Sequence, residues 1–452
     1  MVKISPFNFG KTLATLGIFA NLISVNAQQW ENVGSSANVS AGGSSYNNLV
    51  VDASGNYYLS YYDTSVSKGT VQKFSGNTWS YLGGTAGITS GTALYNSLSL
   101  DGSGNVYYTN QGTGLEVRRF SNNAWAALTS ATTNTVNYHA SAVSPSNVLF
   151  TYSSDGSGTV RRFSNNTWEQ VGNAGFSSGA SFAEMVIGTN NKVYTCNVSS
   201  GIRVYEISTT ATSSDTWSLT GGTLVDTSSS SGEQYTSDIA IDANNNLYVA
   251  YISNSTNGRK INVKKFNGTS WTQLGSANFS AKAVQHLAIA VSSGGNPYVV
   301  ASQWDSSDGN HLKNTVYKYD STSNTWSTFG GSFVSDDQAT YNDLVVDNVT
   351  NYLVLAYSQS GTKVKRIALG NLSVQDVKKD NLEVYPNPTN GIIKIKGDSK
   401  IKSVEISNTV GQLLGTKYDA QQIDLTSYPK GVYFVKINLE NGKQITKKVI
   451  KN

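Results

Sequence analysis

Leu49-Val-Val-Asp-Ala-Ser-Gly-Asn-Tyr-Tyr-Leu-Ser-Tyr61 decides the fold, because the chain repeats this phrase. Its apolar start predicts a strand. The Asp-x-x-Gly-Asn stretch predicts a tight turn, since Asp and Asn bond nearby backbone groups and Gly accepts a positive φ. The aromatic run predicts a second strand. The clearest further copies are Leu98-Ser-Leu-Asp-Gly-Ser-Gly-Asn-Val-Tyr-Tyr108, Ile239-Ala-Ile-Asp-Ala-Asn-Asn-Asn-Leu-Tyr-Val249 and Leu344-Val-Val-Asp-Asn-Val-Thr-Asn-Tyr-Leu-Val354, with weaker copies near Ala142, Met185 and Ile289.

A second phrase alternates with the first and carries a tryptophan, as in Trp79-Ser-Tyr-Leu-Gly83. A short strand such as Val71-Gln-Lys-Phe74 precedes it, so each repeat predicts four short strands. Four-stranded sheets at a period of about 40–50 residues are typical of β-propeller blades. The recurring tryptophans are Trp30, Trp79, Trp125, Trp168, Trp217, Trp271 and Trp326.

The phase of the repeat predicts how the ring closes. Trp30 has no earlier strands to join, and the last strands, up to Ile367, have no tryptophan phrase after them. We therefore expect an all-β fold: a seven-bladed β-propeller closed by its N-terminal strand and followed by a small Ig-like β-sandwich. Closure in this way removes free sheet edges.

The N-terminal segment is typical of a secretory signal peptide, with Lys3 and Lys11 before a short apolar run. We expect cleavage between Ala27 and Gln28. The predicted domains are a signal peptide (1–27), the propeller (28–370), a polar linker (371–380) and a C-terminal module (381–452). No later stretch is apolar for long enough to form a transmembrane anchor.

The last residues depart from the repeat and carry several short phrases in a fixed order. These are Tyr385-Pro386-Asn387-Pro388 with Gly391, Val404-Glu-Ile-Ser-Asn408 with Gly411, Ile423-Asp-Leu425, Lys430-Gly431-Val-Tyr433 and Lys447-Lys448-Val-Ile-Lys451. The segment resembles the type A C-terminal sorting domain of Bacteroidetes type IX secretion substrates. The resemblance implies passage through the periplasm, contact with the type IX secretion machinery and a sortase-like peptidase, and a secreted or cell-surface location. The alternative is an ordinary Ig-like or adhesive domain.

The composition gives no support for nucleic-acid binding. Net charge is only +4 and charged residues are 14%, so no basic surface for nucleic acid is expected. The chain has three His and one Cys, Cys196, which excludes a disulfide within the monomer. No His pair has ligand spacing, so no metal or cofactor is predicted.

Two groups of residues are candidates for a binding site. The first lies where the first strand of each repeat should meet the central channel: Tyr46, Asn47, Tyr95, Asn96, Tyr138, His139, Tyr341 and Asn342, with the carboxylates Glu184, Asp238 and Asp343. These could bind a polyhydroxylated ligand, or the tyrosines could only pack between blades. The second is Trp304 with Asp305 in a long loop. Trp304 could stack on a ligand or pack at the rim.

The sequence contains no catalytic signature, so an enzymatic role stays open. We expect a non-catalytic binding or adhesion module for a glycan or a protein. One alternative is a propeller glycosidase or lyase acting on extracellular polysaccharide, with Glu184, Asp238 and Asp343 as the candidate acids. The other is a structural surface-coat protein.

Overall fold

The computed structural model describes residues 28–178, 181–227, 237–369, 383–397, 400–409, 412–439 and 444–452. The predicted signal peptide (1–27) and linker (371–380) lie outside these ranges. The chain divides into two compact units, Met1–Leu369 and Gly370–Asn452. Among the residues described, no helix combines the length and apolar character needed to cross a bilayer.

The described part of the first unit forms seven antiparallel sheets of four strands. Sheet 7 combines the first strand of the chain, β1 (Glu31–Asn32), with three late strands. Three single-turn 3-10 helices, Asp155–Ser157, Thr220–Gly222 and Ser255–Asn257, lie between strands. Sheets 1 to 3 contain β2 (Ser44–Val51), β3 (Tyr57–Asp63), β4 (Lys68–Ser75) and β5 (Thr78–Tyr81); β6 (Leu94–Leu100), β7 (Val106–Gly112), β8 (Gly114–Ser121) and β9 (Ala124–Ala127); and β10 (His139–Val143), β11 (Leu149–Ser153), β12 (Thr159–Ser164) and β13 (Thr167–Val171). Sheets 4 to 6 contain β14 (Ser181–Ile187), β15 (Lys192–Val198), β16 (Ile202–Ser208) and β17 (Ser218–Leu219); β18 (Ser237–Ile241), β19 (Leu247–Ile252), β20 (Ile261–Phe266) and β21 (Trp271–Gln273); and β22 (Val284–Val291), β23 (Pro297–Gln303), β24 (Asn314–Asp320) and β25 (Thr325–Thr328). Sheet 7 contains β26 (Thr340–Asp347), β27 (Tyr352–Ser358) and β28 (Thr362–Ala368) in addition to β1.

The first strand of each sheet packs against the first strand of the next, and β26 packs against β2. The unit is therefore propeller-like, with these first strands innermost. The second strands are mostly buried on both faces, and β11, β19 and β23 are buried along their whole length. β1 pairs antiparallel with β28, with Glu31 opposite Arg366 and Asn32 opposite Lys365.

The Asp of the repeated phrase organises the turn between the first two strands. Asp52 Oδ1 accepts the backbone N–H groups of Ser54 and Asn56 at 2.8 and 2.9 Å, and Asp52 Oδ2 accepts the Asn56 amide at 2.8 Å. Asp101 and Asp242 make the same contacts in their own turns. These carboxylates stabilise turns, which explains the spacing of the phrase.

Each repeat tryptophan links its sheet to the preceding one. Trp79 Nε1 donates to the carbonyl of Val33 at 2.8 Å, and Trp125 Nε1 donates to that of Leu82 at 2.7 Å. The indole also lies against the glycine that follows its acceptor residue. A Cβ on Gly83, which follows Leu82 and has a φ of +90°, would be 2.8 Å from Trp125 Cδ1. The Trp-x-x-Leu-Gly phrase thus supplies both sides of the contact between neighbouring sheets. Its tryptophan packs on the Leu-Gly pair of the preceding sheet. The other tryptophans that donate in this way are Trp30, Trp168, Trp217, Trp271 and Trp326.

The described part of the second unit is two facing sheets around one apolar core. The core includes Ile393 and Ile395 from one sheet, and Val404, Val435 and Ile437 from the other. Alternation of buried and exposed residues along the strands directs these side chains inward. The strands are β29 (Glu383–Tyr385), β30 (Ile392–Lys396) and β33 (Gln422–Asp424) in the first sheet, and β32 (Leu413–Tyr418), β31 (Ile401–Asn408), β34 (Gly431–Leu439) and β35 (Gln444–Lys451) in the second.

Candidate binding site at the innermost strands

Six aromatic rings form a continuous row where the innermost strands begin. We call this row the aromatic collar; its members, in order, are His286, Tyr341, Tyr46, Tyr95, Tyr138 and Phe182, from six of the seven sheets. Neighbouring ring centroids are 5.2, 4.8, 4.7, 6.5 and 5.1 Å apart. These separations are within the range of favourable aromatic pairing. Tyr46, at the centre of the row, is only 9% exposed.

A β-bulge turns most of these rings toward one another. The register slips at the start of β2, β6, β14, β22 and β26, and one residue of each slip has a positive φ. A bulge redirects the side chain it carries, and a positive φ is uncommon for a bulky residue. Five repeats therefore share one unusual backbone conformation at the collar. The residues concerned are Tyr46 (57°), Tyr95 (48°), Phe182 (51°), His286 (50°) and Tyr341 (52°).

Three of the four collar tyrosines, Tyr46, Tyr95 and Tyr341, are followed by an asparagine that supports the backbone of a neighbouring sheet. Asn47 Nδ2 donates to the Tyr341 carbonyl at 2.9 Å, and Asn96 Nδ2 donates to the Tyr46 carbonyl at 2.8 Å. Asn342 Nδ2 donates to the His286 carbonyl at 2.8 Å. All three asparagines are buried. Their amides thus hold the collar in place, a role that the sequence did not distinguish from ligand contact.

The three predicted carboxylates, Glu184, Asp238 and Asp343, line one cavity of about 70 Å³ beneath the collar. They come from sheets 4, 5 and 7, so only packing of the sheets brings them together. Each is half-buried, because each borders the cavity. We call this cavity the acidic cavity.

Two of the carboxylates also join neighbouring sheets. Asp343 Oδ2 accepts the Leu49 N–H at 2.5 Å, and Oδ1 accepts the N–H of Leu344. Asp238 Oδ2 accepts the Ile289 N–H at 2.8 Å, and Oδ1 accepts the N–H of Ile239. Both therefore bridge innermost strands, whereas the Glu184 carboxylate makes no hydrogen bond to the residues that the structure describes.

Burial raises the pKa of all three carboxyls. The pKa of Asp343 rises to about 7 because of desolvation, and the charge of Asp238 adds to it. Desolvation raises the pKa of Asp238 to about 6, against the lowering effect of its two N–H bonds. Desolvation and the charges of Asp238 and Asp343 raise the pKa of Glu184 well above its usual value. The cavity therefore holds protons near neutral pH.

His139 lies on the wall of the same cavity and is 8% exposed. Its Nε2 is 3.4 Å from the Thr109 carbonyl, and its Nδ1 is buried with no hydrogen-bond partner. Desolvation lowers the pKa of His139 to about 4, so the imidazole is neutral at physiological pH.

Trp304 lies apart from the collar, after β23, and is 43% exposed. The Arg259 guanidinium lies 5.3 Å from the Trp304 ring centroid, and the His311 ring packs edge-on at 5.7 Å. Asp305 Oδ2 is 3.1 Å from Lys282 Nζ. Hydrogen bonds from Ser307 and the charge of Lys282 lower the pKa of Asp305 to about 2. The loop presents one partly covered indole among charges.

Sequence reasoning missed two collar members, Phe182 and His286. Each stands three residues before the start of the repeated phrase in its own sheet, at Met185 and Ile289, as Tyr46 stands before Leu49. His139 occupies this offset in sheet 3, where Tyr138 supplies the ring instead. If the sequence had been searched at the position three residues before each repeated phrase, and not for tyrosine, both Phe182 and His286 would have been found.

In the second unit, hydrogen bonds of the predicted sorting residue Asn387 join the start of the module to its last strand. Asn387 Nδ2 donates to the Lys448 carbonyl at 2.7 Å, and Asn387 Oδ1 accepts the Ile450 N–H at 2.8 Å. A Cβ on Gly391 would be 2.5 Å from Thr426 Cγ2. Tyr385 is 43% exposed, and Pro386 and Pro388 flank Asn387.

The Lys430-Gly431 turn is held by the tyrosine after it, because Tyr433 Oη donates to the Pro429 carbonyl at 2.6 Å. Lys451 Nζ donates to the carbonyls of Thr426 and Tyr428. Gly411 and Ala27 lie outside the described residues, and Gln28 is the first residue within them.

Within the ranges that the structure describes, no three His, Cys, Asp or Glu side chains are grouped to hold a metal ion. Cys196 is buried and unbonded to another cysteine, and desolvation raises the pKa of its thiol.

Residues 383–452 match the family model described as a secretion system C-terminal sorting domain. The chain therefore carries the sorting domain of a type IX secretion substrate, which contacts the secretion machinery and directs the protein to the cell surface or beyond it. No curated protein matches the chain.

Two solved structures are similar to this chain. A fungal alcohol oxidase of the AA5 family, solved with copper, matches with a TM-score of 0.53 at 12% identity, covering 93% of this chain and 100% of its own. The WD40 β-propeller domain of Doa1 matches with a TM-score of 0.49 at 11% identity, covering 76% of this chain and 98% of its own. At such identity the oxidase indicates a shared fold and nothing about chemistry.

Proposed function

We propose that this exported protein is a non-catalytic binding module for an extracellular glycan or protein, and that its ligand docks on the aromatic collar. One observation carries the proposal: six rings from six sheets line up above a cavity that contains three carboxylates. Aromatic surfaces stack on sugar rings and on apolar side chains, and the polar groups below would fix orientation.

The collar is suited to binding because it is rigid before any ligand arrives. Bulged backbone, buried asparagines and ring-to-ring contacts hold each side chain. A preorganised surface loses little conformational entropy on association. A binding site built from flexible loops would lose more entropy, because the loops would have to become ordered on binding.

The test is an array of neutral, acidic and amino-bearing glycans and peptides, probed with the secreted protein. We expect a ligand whose binding falls about fivefold or more in Tyr95→Ala and in Phe182→Ala, since a stacked ring is worth at least ~1 kcal/mol. Val349→Ala is the control, because Val349 is a 56% exposed apolar residue of the same unit, in the turn after β26. Equal binding by all three variants would reject the collar as the site.

A glycosidase or lyase is the second candidate, favoured by the convergence of Glu184, Asp238 and Asp343 in one cavity with raised pKa values. Against it, Asp238 and Asp343 already accept two backbone N–H groups each. The cavity of about 70 Å³ is also well below the roughly 300 Å³ of small-ligand sites. Release of reducing ends or unsaturated products from polysaccharide, lost in Glu184→Gln, would favour the enzyme.

A surface-coat protein is the third candidate, and failure of every ligand and substrate on the array would favour it. In all three cases we propose a signal peptide ending at Ala27. Mass spectrometry of the secreted protein should find Gln28 at its N-terminus, and retention of residues 1–27 would contradict this.

We also propose that the body is a seven-bladed propeller closed by its N-terminal strand. The pairing of β1 with β28, the packing of β26 on β2 and the Trp30 hydrogen bond to sheet 6 support this closure. The domain limits 28–370, 371–380 and 381–452 and removal of the last by a peptidase are part of the same proposal. Limited proteolysis should cut first within 371–380, and a first cut inside a sheet would contradict it.

A further inference from the structure

We infer that the secretion machinery docks on an apolar patch at one end of the outer face of the four-stranded sheet of the sorting domain. We call it the sorting patch; its members are Leu413, Val432, Phe434 and Ile450. The inference is independent of the proposed binding function, because it concerns the export of the chain and not its ligand.

Strand pairing brings the four side chains of the sorting patch together. Phe434 of β34 lies opposite Ser407 of β31, and Ser407 lies opposite Leu413 of β32. Val432 lies opposite Ile450 of β35. Residues two apart on a strand share a face, and a cross-strand diagonal is within reach of an aromatic ring. Phe434 therefore adjoins Val432 and Ile450, and Leu413 lies two strands away, at about 10 Å, across a small serine.

The core of the domain does not use these side chains. On β34 the core takes Tyr433 and Val435, the two neighbours of Phe434 in the chain. Phe434 is 37% exposed, Ile450 is 38% exposed and Leu413 is 58% exposed. Apolar side chains that are contiguous in solvent mark interaction surfaces, since a partner would remove them from water.

The sorting patch has a limit on its own face of the sheet. The next row contains Glu405 and Lys436, whose charged groups are 3.6 Å apart. One row further, Tyr418 lies opposite Ser403. Ser403 is four residues from Ser407 along β31, a distance of about 13 Å in a strand. Tyr418 is therefore an exposed aromatic residue of the same face that lies outside the patch.

The secretion machinery is the occupant, because it is the partner that a sorting domain of this family contacts. The patch is also continuous with the segment that carries predicted sorting residues. The Ile450 N–H donates to Asn387 Oδ1 at 2.8 Å, and the Thr389 N–H donates to the Ile450 carbonyl at 2.8 Å. A partner seated on Ile450 would thus also reach the Tyr385–Pro388 segment.

Charge indicates the chemistry of the partner's surface. Residues 383–452 contain eleven lysines and six acidic residues. Lys448 lies opposite Phe434 and is exposed at the border of the patch. The fitting surface is apolar at its centre and carries carboxylates at its rim, since opposite charges speed association and fix orientation. A second copy of this domain would instead bring the same positive charge.

The test measures binding of the unprocessed full chain to isolated outer membranes, from cells with and without the secretion machinery. Phe434→Thr is the variant and Tyr418→Thr is its matched control, because both remove an exposed ring from the same face and threonine suits a strand. We expect Phe434→Thr to weaken the machinery-dependent binding about tenfold or more, since central apolar residues dominate interface affinity. Tyr418→Thr should bind as the wild type does.

Lys448→Gln tests the rim of the patch. We expect a smaller loss of binding than in Phe434→Thr, together with a weaker dependence of the affinity on salt, because salt screens charges at an exposed rim. Unchanged salt dependence in Lys448→Gln would contradict the acidic rim of the partner.

Thermal unfolding separates docking from folding. Phe434→Thr should unfold at the wild-type temperature, because the Phe434 ring lies outside the core. If that variant does not fold, Leu413→benzoylphenylalanine on the edge strand takes its place. Irradiation should link position 413 to components of the machinery identified by mass spectrometry, and Tyr418→benzoylphenylalanine should not give these adducts.

Three results would overturn the inference. The first is wild-type binding and export of a folded Phe434→Thr protein, and the second is an equal loss in Tyr418→Thr. The third is adducts from position 413 to another copy of the chain or to its own first unit, with none to the machinery, which would assign the patch to a contact of the chain with itself.

The ligand array does not bear on these results. Loss of machinery-dependent binding in Phe434→Thr would support the sorting patch even if no array ligand depends on Tyr95 or Phe182. Array binding through those two rings would likewise stand if the sorting patch failed.

Discussion

Trp30 Nε1 donates a hydrogen bond to the carbonyl oxygen of Phe329 at 3.4 Å, across 299 residues of the chain. A Cβ on Gly330 would collide with the Trp30 indole, so the ring occupies space that only a glycine leaves open. The first described strand of the body is thereby anchored to sheet 6 as well as paired with β28 in sheet 7.

We expect Trp30→Ala to destabilise the whole body by about 2–4 kcal/mol, since truncating this half-buried indole removes its packing against the core and its hydrogen bond. Trp125→Ala, within sheet 2, is the matched comparison, and urea unfolding followed by fluorescence gives both values. Similar losses are expected because both indoles join neighbouring sheets. An unchanged unfolding midpoint for Trp30→Ala would show that the N-terminal strand does not contribute to the cooperative fold.

Gly83→Ala should be more destabilising than Gly84→Ala. Both glycines have nearly the same φ, +90° and +88°, so the cost of about 1–2 kcal/mol for a left-handed conformation is shared. Only the Gly83 Cβ would meet Trp125 Cδ1, at 2.8 Å, whereas Gly84 has nothing within 4 Å. Overpacking should add about 1–3 kcal/mol to Gly83→Ala alone, measured by thermal unfolding. Equal melting temperatures would mean that the indole moves aside freely.

The acidic cavity should make the protein less stable as pH rises. The pKa of Glu184 is raised in the folded state, so the native protein binds more protons than the unfolded chain, and stability declines as pH rises through the folded pKa. Glu184→Gln removes this effect. We expect it to raise the melting temperature at about pH 8 and to change it little at about pH 4.

Asp305→Asn serves as the comparison for that titration, because the pKa of Asp305 is lowered and the side chain lies outside the acidic cavity. Its stability contribution has the opposite sign and is lost on acidification, so the variant should gain nothing at high pH. A Glu184→Gln protein with the wild-type pH profile would show that the cavity stays well solvated.

Local signals predicted the sheets, because the Asp52 turn and the Trp79 phrase each depend on residues within one repeat or its neighbour. The collar was predicted only where its member is a tyrosine: Tyr46 was recognised, whereas Phe182 was not. The collar positions occupy the same place in each repeat, but the type of residue at that place differs between repeats.

The function of the buried amides could not be predicted in the same way. Asn47 and Asn342 look like ligand contacts in the sequence, but the direction of an amide depends on the neighbouring sheet. The meeting of Glu184 with Asp343 likewise depends on packing between repeats that are far apart in the chain.

The sorting module offers a prediction about export. Asn387 joins the Tyr385–Pro388 segment to β35 through two hydrogen bonds, one donated to Lys448 and one accepted from Ile450. Asn387→Ala removes both, and we expect the module to lose about 1–3 kcal/mol and its segment to detach from the last strand. Because the secretion machinery reads this module, the variant should accumulate in the periplasm. Immunoblots of periplasm and culture medium measure the ratio, and Tyr418→Ala, on an exposed side chain of the same unit, should be exported normally. Normal export of Asn387→Ala would show that the secretion machinery recognises the module even when the Tyr385–Pro388 segment is not hydrogen-bonded to β35.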